Sequence, residues 1–324
     1  MQLATRAYAR PFRQPLRTHH GLWEQREGLI VRLQNEVGQV GFGEIAPIPW
    51  FGTETLEMAK AFCTQCSGMT SPEQIMTIPT PLPACQFGFA SALRSLTTRA
   101  VLSKPPCPAQ ICGLLPTGAA ALETWPILWQ QGHRTFKWKI GIAPFPEERA
   151  HFQALVTALP AAARLRLDAN GGLTPTTAEA WLELCDAAGD KVELLEQPLP
   201  PALILDWILT QAKQFQTAIA LDESVATVEQ LASVCQRLQN QVVYVVKPAI
   251  AGFPESLSRL CTQHRLEVVF SSALETPVGQ RAALQLAQSL WEKGIPQRAL
   301  GFGVGHWFLD NWDTLSEETL WQSL

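Results

Sequence analysis

No stretch of this sequence approaches the ~20 consecutive apolar residues that a membrane helix requires, so no span is expected. Nor is there a basic block. The formal net charge is −4, which gives a polyanion little to grip and sets nucleic acid aside as a partner. The opening MQLATRAYARPFRQPL is basic yet lacks the apolar core of a secretory leader, so a cytoplasmic location with reduced thiols is expected. A GxGxxG turn is missing too, which counts against an open dinucleotide-binding sheet. What remains is a chain of 324 residues, 47% hydrophobic and only 17% charged. It is long enough to bury a core without staples, as one large globular unit or two domains.

Eight cysteines (63, 66, 85, 107, 112, 185, 235 and 261) invite a disulfide or zinc reading. Cys63-Thr-Gln-Cys66 has the spacing of a redox or zinc pair, but it falls in the helical-looking LEMAKAFCTQC with no flanking knuckle. The gap between Cys107 and Cys112 fits a second pair poorly. Free thiols in ordinary small apolar packing are therefore expected.

Two patterns divide the chain. Residues 1–105 suggest a small α+β domain, with a hairpin of GLIVRL (28–33) and QVGFGEI (39–45) about the turn-like NEVG, and helical patterns at 54–66 and near 86–99. SKPPCP (103–108) reads as a linker. Beyond it, apolar strands alternate with amphipathic helices. The strands are 111–115, 135–140, 164–169, 192–197, 218–223, 242–247, 266–272 and 298–303. Helices fit at 119–131, 146–158, 176–188, 201–214, 227–238, 254–264 and 278–292. Eight strands joined by about seven helices argue for an α/β fold closed as a parallel barrel over residues 106–305.

In such a barrel the C-terminal strand ends form the active face, and there the few charges gather. The second strand carries Lys137 and Lys139, and the third ends Arg166-Leu-Asp168-Ala-Asn170. The next ends are Glu196-Gln197-Pro198, Asp222-Glu223-Ser224, Lys247-Pro248 and Ser271-Ser272. Singly, each has a bland explanation: an aspartate can cap the next helix, and a lysine can snorkel. The bland account does not supply a reason for acids and lysines at one height on consecutive strands. Asp168, Glu196 and Asp222, with no His or Cys beside them, make a hard all-oxygen set suited to Mg2+, with Mn2+ the alternative. Arg166 and Glu223 are expected to support that set, Glu223 because it faces away from Asp222.

Two lysines at period two share one strand face. A divalent ion and a neighbouring ammonium both disfavour a charged lysine, so Lys137 is expected to lower the proton affinity of Lys139, which becomes the base. Lys247 flanks the metal from the other side. The chemistry this suits is removal of a proton next to a carboxylate, giving an enediolate stabilised by positive charge.

The KxK at 137–139, DAN at 168–170, EQP at 196–198, DES at 222–224 and KP at 247–248 resemble the lysine-base subgroup of the enolase superfamily. REGLIVRL, GEIAPIPWFGTET (43–55), LPACQFGFASAL (82–93), RLDANGG and FSSALETPVG are similar to the o-succinylbenzoate synthase family within it. The terminal GFGVGHWF departs from that family's common glycine–leucine ending. The resemblance covers essentially the whole chain. It implies a (β/α)7β barrel with an N-terminal cap over the active face, and a tail at 306–324 packing back on the cap. It also implies Mg2+-dependent loss of water from a small-molecule cyclohexadiene carboxylate in menaquinone and phylloquinone biosynthesis. Lys139 would be the base, Lys247 a cation facing the ring, and Ser271, Ser272 and Asn170 substrate contacts. RTHHGLWEQ (17–25) would be a mobile lid and Trp50-Phe51-Gly52 a second cap loop. An N-succinylamino-acid racemase or dipeptide epimerase on the same scaffold, and a barrel that only binds a carboxylate, are the alternatives.

Overall fold

The structure, a computed structural model, describes residues 1–18, 21–66, 68–97 and 106–324. The chain opens with a three-stranded antiparallel sheet: β1 (Gln2–Thr18), β2 (Gly21–Gln34) and β3 (Val40–Ile45). The second half of strand β2 is buried on both faces. Leu29, Val31 and Leu33 pack towards helices α1 (Leu56–Gln65), α2 (Pro72–Met76) and α3 (Pro83–Thr97). Ile30 joins Tyr8 and Phe42 on the far face, under Leu320 and Trp321 of the terminal helix α12 (Glu317–Ser323). The glycines of GFGEI let α3 lie almost on the backbone of β3: a Cβ at Gly43 would meet the Gly88 carbonyl oxygen at 1.9 Å.

Strand β1 is longer than the expected hairpin and was absent from it. Its inward positions include Arg10, 1% exposed, where a strand pattern calls for an apolar residue. That guanidinium is forked onto Asp310 at 2.9–3.1 Å, reaches Asp313 at 2.9 Å and lies over the Phe308 ring. The expected lid at 17–25 is the far end of this ribbon: Arg17, Thr18 and residues 21–25 pair as strand. His19 and His20, like 103–105 of the linker, lie outside the described residues.

The second unit alternates strand and helix. Its strands are β4 (Gly113–Leu114), β5 (Thr135–Lys139), β6 (Arg164–Asp168), β7 (Val192–Glu196), β8 (Ala218–Leu221), β9 (Val243–Val246) and β10 (Val268–Phe270), all parallel and in chain order. The helices are α4 (Ala121–Gln130), α5 (Phe145–Ala158), α6 (Pro175–Ala188), α7 (Pro201–Thr210), α8 (Val228–Leu238), α9 (Pro248–Ala251), α10 (Pro254–His264) and α11 (Pro277–Glu292). Threonine caps open several of them, Thr174 on Thr177 and Thr227 in a capping box with Gln230. The expected eighth strand at 298–303 is reduced to two parallel bridges, Leu300 with Ile111 and Gly301 with Ser271. These still close the sheet on itself. Glycines at 301 and 303 remove the side chains that would hold a longer ladder.

Alternation then sorts β5. Phe136 and Trp138 pack outward, Trp138 edge-on to Trp181 of α6, while Lys137 and Lys139 face the lumen. Beneath them Leu194, Ala220, Val243, Val245 and Val269 pack together in the lumen.

Cap and barrel are joined through buried polar groups. Glu44 on β3, fully buried, accepts hydrogen bonds from Tyr8 Oη, from Thr276 Oγ1, and from the backbone N–H groups of Thr276 and Gly279 at 2.9 Å. It thereby caps α11 of the barrel from the other unit. No helix among the described residues is long and apolar enough to cross a membrane.

Candidate active site

Strand register sets the site. Lys139 pairs with Asp168, and Asp168 with Glu196, so three charged side chains stand at one level on adjacent strands. Lys137, one step down, sends its Nζ up between two of them, 2.8 Å from Asp168 and 2.7 Å from Glu196. Across the lumen Lys247 is ion-paired to Asp222. The Lys247 ammonium also lies 4.5 Å from the centre of the Phe51 ring, contributed by the cap. Lys139, half-buried, has no ion-pair partner among the described residues.

Burial governs the electrostatics. Asp168, Glu196 and Asp222 are 2–4% exposed. Burial pushes the Glu196 and Asp222 carboxyls above their ordinary range, only partly opposed by Lys137 and Lys247 respectively. Asp168 goes the other way: burial is outweighed by Lys137 and Lys139, so its carboxyl is held low. Burial alone would lower Lys137, but Asp168 and Glu196 hold it well above the usual lysine value. Lys137 is thus a fixed cation. Glu223 is also raised, by burial and then by Asp168, and its Oε2 has no hydrogen-bond partner among the described residues.

Buried acids with too little positive charge fit a hard divalent cation, and every donor is an oxygen. Among the described residues no three acidic, His or Cys side chains are already gathered as a closed ligand cluster. Lys137 bridges Asp168 and Glu196, and Lys247 pairs with Asp222. The donor chemistry of Asp168, Glu196 and Asp222 fits Mg2+.

The other expected residues sort differently. Ser271 stands in the last layer of the lumen, its hydroxyl only 3.4 Å from the Gly301 carbonyl oxygen. Ser272 is turned away: its hydroxyl donates to Glu275 and accepts from Leu274 N–H at 2.9 Å, closing the loop after β10. Asn170, at φ 43°, gives its amide to Glu223 at 3.1 Å. Arg166 lies on the lumen face one layer below Asp168, but it forks onto Glu193 at 2.8 and 3.1 Å rather than onto a candidate metal ligand. A register shift at Leu165/Arg166 brings Glu193 within its reach.

Three supporting residues were not anticipated. Gln197, fully buried at φ 38°, accepts from Asp222 N–H at 3.0 Å and fixes that strand end. Its place in EQP beside DES was the available signal. Glu148 accepts from the N–H groups of Gly141, Ile142 and Ala143 and so shapes the loop leaving Lys139. In sequence it looks like an ordinary acid in a helix's first turn. Arg26, 2% exposed, sits where cap and barrel loops meet.

The chain matches two family models, one described as enolase C-terminal domain-like over residues 121–315 and one as the MenC N-terminal domain over 4–96. It is 45% identical over 316 residues to the o-succinylbenzoate synthase of Thermosynechococcus vestitus, covering 95% of this chain and 94% of that one. To the o-succinylbenzoate synthase of Yersinia enterocolitica it is 28% identical over 299 residues, covering 89% and 87%. The crystal structure of o-succinylbenzoate synthase from Thermosynechococcus elongatus BP-1, complexed with Mg in the active site, matches at a TM-score of 0.90 and 42% identity, covering 100% of both chains. The L-Ala-D/L-Glu epimerase of Bacillus subtilis, at 22% identity, shares the fold with a TM-score of 0.72, covering 96% of this chain and 91% of that one.

Proposed function

Because this chain belongs to the o-succinylbenzoate synthase family of the enolase superfamily, we propose that its barrel mouth dehydrates 2-succinyl-6-hydroxy-2,4-cyclohexadiene-1-carboxylate to 2-succinylbenzoate, in menaquinone and phylloquinone biosynthesis. The observation that carries the site assignment is the unequal state of three lysines. Lys137 and Lys247 are each tied to carboxylates, whereas Lys139 has no ion-pair partner among the described residues.

Asp168, Glu196 and Asp222 would hold the Mg2+. When bound, the ion supplies positive charge opposite the substrate carboxylate, where negative charge develops. Lys139, as the free amine, takes the proton from the ring carbon that bears the carboxylate, and the C–H electrons pass into an enediolate. The protonated Lys139 then gives that proton to the hydroxyl on the neighbouring carbon, on the same face. The C–O bond breaks, water leaves and the ring becomes aromatic. A positioned base supplies about 10²–10⁴ in rate, roughly 3–5 kcal/mol, so the remaining stabilisation is electrostatic. Lys247 contributes to it as a cation facing the ring, with Phe51 behind it. Ser271 takes the succinyl carboxylate, while Ser272 and Asn170 act by shaping the loops that hold Ser271 and Asp168.

Racemisation or epimerisation would require Lys247 to deliver a proton to the substrate carbon on the face opposite Lys139, and its engagement with Asp222 favours dehydration instead. A barrel that merely bound carboxylates would have no need of three buried acids, Asp168, Glu196 and Asp222, beside its lysines. We assign residues 1–105 to the cap, 106–305 to the barrel and 306–324 to a tail on the cap; the separate apolar cores of the first two support that division. Eight free thiols support a cytoplasmic location.

The aromatic product absorbs differently from the diene, so turnover is read directly. The protein with Mg2+ should convert the diene acid, excess EDTA should abolish conversion, and restored Mg2+ should recover it. Conversion that persists unchanged after rigorous metal removal would reject the metal assignment.

A further inference from the structure

Arg26 is a charged side chain buried to 2% exposure that takes no part in the chemistry above. Among the described residues its guanidinium donates to backbone carbonyls. Nε reaches Ala273 at 3.1 Å, Nη1 reaches Glu27 at 2.9 Å and Pro47 at 2.8 Å, and Nη2 reaches Ala46. Those carbonyls belong to three different segments: the β2 ribbon, the loop leaving β3, and the loop leaving β10.

Each acceptor is a short way from the site. From Pro47 the chain runs directly into the turn Pro49–Phe51, where Phe51 N–H bonds the Ile48 carbonyl at 2.9 Å and the ring lies over the Lys247 ammonium. Ala273 follows Ser271 and Ser272 and precedes Leu274, a non-glycine residue held at φ 61°. On the ribbon, the guanidinium lies 5.6 Å from the Trp23 ring, which is edge-on to Trp50 at 4.9 Å. One planar fork thus ties the loop that leads to the cap aromatics to the serine loop of the barrel.

We propose that Arg26 is a positioning residue that fixes the width of the substrate pocket between Phe51 and Ser271. This rests on the dehydration reading given above. The fork is what matters. A lysine offers three donors at one point, whereas arginine spreads five over a rigid plane that can satisfy carbonyls on three segments at once. Arg26 touches no reacting atom, so its loss should weaken substrate and transition state alike, raising KM and leaving kcat.

The test compares Arg26→Lys and Arg26→Gln with the wild type, by steady-state turnover of the diene acid with Mg2+ and by calorimetric titration with the product, 2-succinylbenzoate. Arg26→Lys is expected to raise KM and the product Kd together by about tenfold, with kcat within about threefold of wild type. Arg26→Gln should weaken binding further in the same pattern. Folded variants with unchanged KM and product Kd would overturn the proposal, as would a fall in kcat at unchanged KM. If neither variant folds, Arg26 is a determinant of the fold and the proposal also fails. Wild-type turnover tests the dehydration reading separately, since the ratio of product affinities is read without it.

Discussion

Lys137 and Lys139 stand two residues apart on one strand and are held differently. Lys137 is pinned as a cation by Asp168 and Glu196, and Lys139 is left unpaired among the described residues. Replacing Lys139 by alanine should therefore lower kcat by about 10²–10⁴ while product binding stays measurable by titration. Lys247→Arg, which keeps a charge beside Asp222, should retain part of the dehydration activity. Undiminished turnover in Lys139→Ala would remove it as the base. That these lysines and the three acids face one lumen could be read from sequence because strand alternation is strict: residues at period two share a face whatever the rest of the fold does. Ser271 and Ser272 could not be separated that way. Which of them reaches the lumen depends on where β10 stops at Phe270 and on the hydroxyl of Ser272 turning back to Glu275. Glu148 was hidden for a related reason, since a side chain that accepts from backbone N–H groups leaves no pattern of residue types.

At the scale of elements, the longer helices were visible within a few residues, because proline and threonine mark their starts, as at Thr174 and Thr227, whereas the short α2, α9 and α12 were not read. Strand β1 was not visible. Its inward Arg10 is satisfied by Asp310 and Asp313, 300 and 303 residues away, and no local window contains that compensation. The same pairing gives a test. Asp310→Ala leaves the Arg10 guanidinium with Asp313 alone and should cost about 3 kcal/mol in urea unfolding, as when one partner of a buried ion pair is removed. A loss no larger than that of an exposed pair, about 0.5 kcal/mol, would mean that Asp313 suffices. The eighth strand erred in the other direction. The apolar letters of RALGFG promised a ladder, and the glycines among them left only the bridges at Leu300 and Gly301.

Over the whole molecule, cap and barrel meet at a seam rich in buried polar groups, and this gives stability a pH dependence. Burial lifts the Glu275 carboxyl to about 7, with the neighbouring Glu44 adding to the rise and the donors Ser272 and Ala273 opposing it. The folded protein therefore keeps a proton that the unfolded chain releases near the ordinary glutamate value. Stability should be greatest below that ordinary value, fall as pH rises towards about 7, and level off above it. The full fall is of order 3 kcal/mol as an upper figure, at about 1.4 kcal/mol per pH unit of displacement. Urea unfolding between pH 5 and pH 8 checks the sign, and Glu275→Gln should make the curve shallower, leaving the share that the raised Glu196 and Asp222 carboxyls contribute.

The carboxyl of Glu44 has consequences for anyone building chimaeras from enzymes of this shape. It is a plug from one module whose socket, Thr276 with Gly279, is encoded more than two hundred positions later. A foreign barrel transplanted under this cap would inherit the plug without the socket. Successful exchange should thus require moving residues 26 and 44 together with 271–279, a discontinuous cassette that a cut at the inter-module linker would miss.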